Sequence, residues 1–433
     1  MRILYADSGL RSLEGHHASS GVALPAAFRR LGHDVTVLGH HELLPVLQQK
    51  AGAQPFFRFF TYGGPSEDPI AGWLTNFAAA VDVTMADLGR AWVKFGPFDL
   101  IYFNSAKPAQ IAALGLWMKA TFAHPGMAPA IAIELGTEAG LVRSGTGQTS
   151  TFSVREPTAI LYRHVAERVG KPWLARMAFL AMTPAAAEEY AFILEAPVTV
   201  VPLPQPLPPL RRRHPSGPLV VGLLGHQRPD KGWQLAADFV PLLLLRHPEI
   251  QIVAHQSDPS GMIEDTERLR ALAAREPRLE LLVQPAIHEA WFALLDRCDI
   301  VALPYDPARY EGAYSAIVGE ALAAGAPVVV PAATTLSSAV EAAGGPGTTF
   351  SRWNAPSIAA AIGEAVDRFD DLAERAHHAG LAWREKHGPD RFVTAVIEAA
   401  GLRGAVGTAQ RANVIIKRGF GNLFGWRVRV SRR

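Results

Sequence analysis

The residues best placed to do chemistry lie in two stretches of the second half of the chain. The first is Gly225-His226-Gln227-Arg228-Pro229-Asp230-Lys231-Gly232, which follows the apolar run Leu219-Val220-Val221-Gly222-Leu223-Leu224 and precedes a helical pattern. A loop between a strand and a helix is where backbone amides and cations cradle phosphate. Arg228 and Lys231 in such a loop would hold a diphosphate and neutralise the charge that grows on it as it leaves, the step at which electrostatic catalysis acts. The spacing is not that of a Walker A loop, and taken alone the stretch also reads as a solvated basic turn.

The second stretch runs from Tyr310 through Ser315, Ala316 and Glu320 to Val329, in the order loop, helix, stop, strand. A helix beginning near Tyr314 or Ser315 presents free amides as an anion site, and Glu320 follows between one and two turns later. A carboxylate there suits a ribose diol rather than a phosphate. Because Glu is seldom buried without a partner, pairing with a cation is the alternative. His255 ends the run Ile250-Ala254 and either lines the base or ribose pocket or is a strand-end histidine satisfied by its surroundings. The acidic run Asp367-Arg368-Phe369-Asp370-Asp371 falls in a helical region and reads as a solvated face rather than a metal site. Cys298, the only cysteine, sits in an apolar helical pattern, so no internal disulfide or cysteine-rich metal site forms and a buried small hydrophobe is expected.

The elements that must position these residues follow from length and pattern. At 433 residues the chain exceeds what one core normally supports, so two domains are expected. The first half opens with Ile3-Leu4-Tyr5-Ala6, a loop containing Gly15, a helix to Leu31, Gly32 as a stop, and the strand Asp34-Val35-Thr36-Val37-Leu38. That is a βαβ opening. Leu100-Phe103 and Ala130-Ile133 continue it as a parallel doubly wound α/β sheet. The proline-rich segment Val198 to Leu210 reads as a linker. After it the alternation restarts with strands at 219–224, 250–254, 279–283, 299–304 and 327–330, a second Rossmann-like domain. Pro241 falls inside the helix expected from Trp233 to Arg246 and should kink it. Two such domains facing each other would place the carboxyl ends of both sheets around one crevice.

In that order the basic loop and the Ser315–Glu320 helix resemble the donor domain of retaining GT-B glycosyltransferases of family 4. The likeness covers about residues 1–400 by layout and is specific mainly over 218–335. It implies a GT-B fold, with an acceptor-side domain at 1–208, a nucleotide-sugar domain at 209–385 and a helix at 386–402 returning to the first domain. It implies that Arg228 and Lys231 grip the donor diphosphate, that Ser315 and the amide of Ala316 face phosphate, and that Glu320 holds the donor ribose. The family often carries another Glu eight residues before the ribose one; here Gly312 stands there, Glu311 is one place off, and Tyr310, Ser315 and Glu320 look like a branch lacking that Glu. Glu14-Gly15-His16-His17-Ala18-Ser19-Ser20 resembles the family's first loop, which assigns Gly15 and His16 to the donor and acceptor approach. A surface loop with Ser19 or Ser20 capping the helix is the alternative. Where relatives have a His after a middle strand, this chain reads Glu134-Leu135-Gly136-Thr137-Glu138-Ala139-Gly140, which makes Glu138 a substitute in the cleft or else a helix-cap or salt-bridge residue. The resemblance further implies transfer with retention, without metal or cofactor, with a donor phosphate oxygen helping to deprotonate a glycan or lipid-linked acceptor.

Charge narrows the partners. Residues 401–433 hold Arg403, Arg411, Lys417, Arg418, Arg427, Arg429, Arg432 and Arg433 and no acid, and removing those eight charges from the net +2 leaves −6 on the body. A mildly acidic body has no basic face for nucleic acid. The tail at 403–433 interleaves cations with Phe420, Phe424 and Trp426, as a segment lying on an anionic leaflet does, although Gly419, Gly421 and Gly425 weaken a helix; a disordered end or packing on the first domain are the alternatives. The first residues go straight into a strand with no export signal, and no apolar run spans a bilayer, so the expectation is a cytoplasmic protein, peripheral on the inner membrane face through 411–433. Two rival functions share the scaffold: a nucleotide-sugar epimerase or hydrolase, and a non-catalytic nucleotide-binding protein. A nicotinamide dehydrogenase fits less well, since no Gly-x-Gly-x-x-Gly turn follows the first strand.

Overall fold

A strand whose side chains are all apolar needs both faces covered, and a parallel sheet between two helical layers covers them. Ile3, Leu4, Tyr5 and Ala6 are at most 1% exposed, and Ile300 and Val301 are fully buried. The computed structural model describes residues 1–402 apart from Glu14, Pro65, Glu67, Pro69, Ile70, Thr137, Glu138, 145–150, 212–216, Pro259, Ile287 and His288. Glu138 and the basic tail thus lie outside the described residues.

The first unit runs β1 (Arg2–Ala6), α1 (Gly15–Arg30), β2 (Asp34–His40), α2 (Pro45–Ala51), β3 (Ala53–Phe57), α3 (Ala71–Phe95), β4 (Leu100–Phe103), α4 (Pro108–Thr121), β5 (Ala130–Glu134), β6 (Leu141–Ser144), β7 (Thr151–Val154), α5 (Thr158–Val169), α6 (Lys171–Leu174), β8 (Met177–Ala181), α7 (Pro184–Leu194) and β9 (Val198–Val200). Seven of its strands form one sheet in the order β3-β2-β1-β4-β5-β8-β9, parallel throughout. β6 and β7 make a separate antiparallel hairpin.

The second unit runs β10 (Val220–Leu223), α8 (Ala236–Arg246), β11 (Gln251–Gln256), α9 (Ile263–Ala273), β12 (Leu279–Val283), α10 (Glu289–Asp296), β13 (Ile300–Ala302), α11 (Ala316–Ala324), β14 (Val328–Pro331), α12 (Thr335–Ala342), β15 (Gly347–Phe350), α13 (Ala355–Asp367), α14 (Phe369–Lys386) and α15 (Pro389–Ala399). Its six strands are ordered β12-β11-β10-β13-β14-β15 and are likewise parallel. Each sheet winds outward from its first strand and then returns to that strand's other side. Ligands of open α/β sheets bind outside the carboxyl ends at that reversal. Here the reversal sets Asp7-Ser8-Gly9 beside Asn104-Ser105 in one sheet, and Leu224-Gly225 beside Leu303-Pro304-Tyr305 in the other.

Several local expectations change. Val198–Val200 is not linker but the edge strand β9, paired with β8, because three β-branched residues extend the sheet before the prolines remove backbone donors. The helix expected from Trp233 starts as a 3-10 turn at Trp233–Leu235 and becomes α8 only at Ala236, with Pro241 inside it. Gly15, with φ +71, opens α1, so Ser19 and Ser20 lie inside the helix rather than at its cap. Asp367 closes α13 and Phe369 opens α14, so the acidic run straddles a helix junction. Cys298 follows α10 rather than lying in it, and its fully buried thiol is pushed up to about 12 chiefly by burial.

The two units are tied together by the last helix. Phe392, Val393 and Val396 of α15 are fully buried within the same apolar cluster as Phe28, Leu24 and Tyr102 of the first unit, and Arg30 pairs with Asp390 at 2.7 Å on the rim. Thr183 Oγ1 donates to the Gly312 carbonyl at 3.2 Å, Gln205 Nε2 to the Tyr314 hydroxyl at 2.8 Å, and the Leu203 amide to His387 Nδ1 at 3.1 Å.

Candidate functional site

The basic loop is shaped by two glycines. Gly225 has φ +127, and a Cβ there would stand 2.7 Å from Ile317 Cδ1 and 3.6 Å from Lys231 Nζ, so the loop rests directly on the first turn of α11. Gly232 has φ +73, and its Cβ would fall 2.0 Å from the Pro304 carbonyl oxygen. Between them Pro229–Lys231 makes one 3-10 turn, which brings the Lys231 ammonium over the Tyr305 ring, 5.4 Å from its centroid. Burial lowers Lys231 to about 8, with Arg228 adding to the effect and Asp230 and Glu320 opposing it. A half-buried ammonium beside the first turn of a helix is a poised anion partner. Arg228 is exposed, and its fork closes on Asp230 at 3.0 and 2.9 Å. Tyr310 is buried, with its ring 4.7 Å from that of Tyr305 and its hydroxyl 3.4 Å from Asp230 Oδ2.

Ser315 is the N-cap of α11 and Ala316 its first residue. The Ser315 side chain makes no cap bond to the helix, so the amides of the first turn keep their donors for another partner, and the buried Tyr305 hydroxyl beside this loop has no hydrogen-bond partner among the described residues. Glu320, 7% exposed, accepts from Trp291 Nε1 at 2.8 Å. Burial raises its carboxyl to about 7, opposed by the Trp291 bond and the Lys231 charge. His255 has both ring nitrogens engaged, Nε2 at 2.8 Å from the Gln284 carbonyl and Nδ1 at 3.4 Å from the Gly225 amide. Its ring thus braces the glycine turn. Glu311 is exposed, and Gly312 gives its carbonyl to Thr183.

Facing this group, the first sheet presents a buried polar cluster. Asp7 accepts from His17 Nδ1 at 2.7 Å, from the Gly9 amide at 2.9 Å and from Asn104 Nδ2 at 2.7 Å. His17 Nε2 lies 2.9 Å from the Tyr62 hydroxyl, and His16 Nε2 lies 2.9 Å from Ser105 Oγ. Glu134, 2% exposed, accepts from the Tyr102 hydroxyl, and burial raises it to about 7. His16 is held well below its ordinary value, first by burial, then by His17, Lys107 and Arg228. The field of Arg228 reaching His16 ties the basic loop to this side of the cleft. Gly15 has open space beside it.

Of the residues singled out from sequence, the structure brings Arg228, Lys231, Tyr310, Ser315, Ala316 and Glu320 to one sheet end and Gly15 and His16 to the other. Asp7, His17, Tyr62, Asn104, Glu134 and Trp291 were not foreseen. An Asp directly after the first strand, followed by a His pair at the next helix start, was the legible signal for two of them; Trp291 and Tyr62 come from distant segments and had none. Among the described residues, only His40, His41 and Glu42 could bring three ligand atoms within 4.8 Å of one another. The Glu42 carboxylate is already paired with Arg11 at 2.8 Å.

No family model and no curated protein sequence matches the chain. Solved structures do match. Sucrose-phosphate synthase from Thermosynechococcus elongatus aligns with a TM-score of 0.61 at 15% identity over 93% of this chain and 98% of its own. Anabaena HepE in complex with UDP aligns at 0.60 and 16% identity over 93% and 100%. A UDP-N-acetylglucosamine 2-epimerase described from Listeria monocytogenes aligns at 0.56 and 13% identity over 96% and 99%. At these identities the likeness is one of fold, the GT-B arrangement of two Rossmann-like domains.

Proposed function

We propose that the chain transfers a glycosyl group from a nucleoside-diphosphate sugar to an acceptor hydroxyl, with retention of configuration and without a metal. One observation carries the reading: a half-buried ammonium at Lys231, the open amides at the start of α11 and a buried carboxylate at Glu320 converge at one sheet end, the complement of a diphosphate joined to a ribose. The fold is shared with HepE, solved in complex with UDP-glucose, which supports a nucleotide sugar as the partner. Lys231, the α11 amides and an Arg228 released from Asp230 would meet the charge on the departing diphosphate. A thermal-shift panel of nucleoside diphosphates and their sugars tests the reading, since a ligand of the folded state raises its stability with concentration. A transferase consumes its donor slowly until an acceptor is supplied; an epimerase or hydrolase consumes it alone at full rate; a binding protein shifts in melting temperature and yields no product.

Glu320→Gln should weaken nucleoside-diphosphate binding by about 1–3 kcal/mol, because the amide keeps the shape but is a poorer acceptor for two ribose hydroxyls. In the wild type the carboxyl is protonated below about 7, so affinity should fall as pH drops through that value, and the fall should vanish in Glu320→Gln. Glu134 titrates in the same range on the other domain, which is why the variant is needed. Calorimetry that finds wild-type affinity in the variant removes Glu320 from the site.

No helix among the described residues is long and apolar enough to cross a membrane. The basic, aromatic tail at 411–433 fits a peripheral contact with an anionic inner leaflet, where each cation contributes roughly 1 kcal/mol. Sharing a surface with a lipid-linked or envelope-glycan acceptor would raise its effective concentration. Full-length protein should co-sediment with anionic vesicles and release with salt, whereas a chain ending at Gly401 should not. Equal partitioning of the two would count against the tail.

A further inference from the structure

The group that holds the Glu320 carboxylate is an indole rather than a cation: Trp291 Nε1 donates to Glu320 Oε2 at 2.8 Å. We propose that Trp291 is the positioning residue for the donor ribose, its N–H fixing one oxygen of Glu320 and so keeping the carboxylate set to accept from the ribose hydroxyls. This rests on the nucleotide-sugar reading above and assigns the residue on which its ribose contact depends. A carboxylate offers about four lone-pair sites on its two oxygens. The indole takes one, which leaves enough for two hydroxyls. An indole N–H is a donor only, so the bond cannot reverse, and it favours the charged form of the acid over the neutral one. A side chain without an N–H at position 291 would leave that buried oxygen unbonded and the neutral acid favoured.

Packing sets the indole in place. Trp291 lies in the first turn of α10, and α10 and α11 cover the same face of the second sheet. Leu294 and Leu295 of α10 share one apolar cluster there with Ile317 and Ala321 of α11, and the Trp291 ring packs against it. The His255 ring lies beside the indole with centroids 6.1 Å apart, and its two nitrogens are spent on the Gln284 carbonyl and the Gly225 amide. Burial drives the Glu320 carboxyl up to about 7, and the Trp291 bond opposes that rise ahead of the Lys231 charge. Lys231, Tyr305 and Tyr314 are the titratable groups that feel the Glu320 charge. Burial keeps both phenols neutral, so of these three only Lys231, at about 8, changes charge near neutral pH. Lys231 serves the diphosphate, whereas the indole serves the carboxylate that meets the sugar ring of the nucleoside.

The test is the preference for a ribonucleotide over its 2′,3′-dideoxy analogue, measured by calorimetry with UDP, ADP and GDP and the three analogues. Both members of a pair share base and diphosphate, so the ratio cancels general damage and the titration of Lys231. In the wild type, a nucleotide that binds should outbind its analogue at least about 100-fold, because the analogue leaves Glu320 unpaired. Trp291→Phe keeps a ring and removes the N–H. It should cut the preference about tenfold near neutral pH and move upward, by about one unit, the pH at which acid abolishes the preference. In the Glu320→Ala background the same substitution should change the preference less than about twofold, since the group it positions is gone. Trp291→Gln keeps an N–H and loses the ring, so it should melt lower than Trp291→Phe yet retain more of the preference. Three results each overturn the assignment: a wild-type preference and pH profile in Trp291→Phe, an undiminished loss in the Glu320→Ala background, or a preference that simply follows melting temperature across the two Trp291 variants. A wild type that binds none of the nucleotides overturns the nucleotide-sugar reading and this assignment with it, so the two failures are distinct.

Discussion

Lys231→Ala should lower turnover by about 2–4 kcal/mol of transition-state stabilisation, the scale of removing one preorganised electrostatic partner, while costing little in folding stability. Its half-buried ammonium lies over an aromatic face and is held below its ordinary value chiefly by desolvation, so its charge is poorly satisfied until an anion arrives. The free protein releases that proton as pH rises past about 8, whereas a bound diphosphate favours the charged form. Nucleotide binding should therefore take up a proton at higher pH, and affinity should decline as pH rises above about 8, with the decline absent from Lys231→Ala. Arg228→Ala should cost less than Lys231→Ala, because that guanidinium is exposed and already paired with Asp230. Unchanged turnover in a folded Lys231→Ala protein would end the clamp assignment.

Phe392→Ala should carry the largest stability cost, about 3–5 kcal/mol, the range for removing a buried aromatic ring and leaving a cavity. Phe392 is fully buried and meets the Tyr102 ring edge-on at 6.0 Å, and Tyr102 in turn holds Glu134. The loss should appear in chemical denaturation as an earlier transition of the first unit, since α15 covers a face of that sheet although it follows the second unit in sequence. An exposed residue of the same helix such as Arg391 serves as the control, with a cost within about 0.5 kcal/mol. A Phe392→Ala protein as stable as the control would mean that the helix does not close the first core.

Both outcomes turn on features that differ in how far the sequence reveals them. Strands such as Ile3–Ala6 and Pro327–Val330 are legible because a parallel strand buried on both faces must be apolar at every position, and that pattern is local. The stretches around Lys231 and Glu320 are legible for a related reason: strand-loop-helix order places a loop at a sheet's carboxyl end wherever the sheet lies. Edge strand β9 was hidden by the prolines that follow it, and the Gly15 start of α1 by serines that looked like caps. Glu134, at the strand's last position, has a buried carboxyl that pairs with Tyr102, a pairing between two strands that no local pattern announces.

By itself, then, the sequence determined two α/β units, the order of their strands along the chain, a basic loop and a carboxylate on consecutive elements of the second unit, and a last helix able to return. Those are properties of short windows, where period and turn chemistry act over a few residues. Only the tertiary structure decided that Trp291 holds Glu320, that Asp230 closes on Arg228 while the Lys231 ammonium lies over the Tyr305 ring, and that Asp7, Tyr62 and Asn104 meet around the His17 imidazole. The reason is physical: hydrogen bonds and burial act through space, and the reversal of each winding sheet sets side by side strand ends that are nearly a hundred residues apart in the chain, such as Asp7 and Asn104.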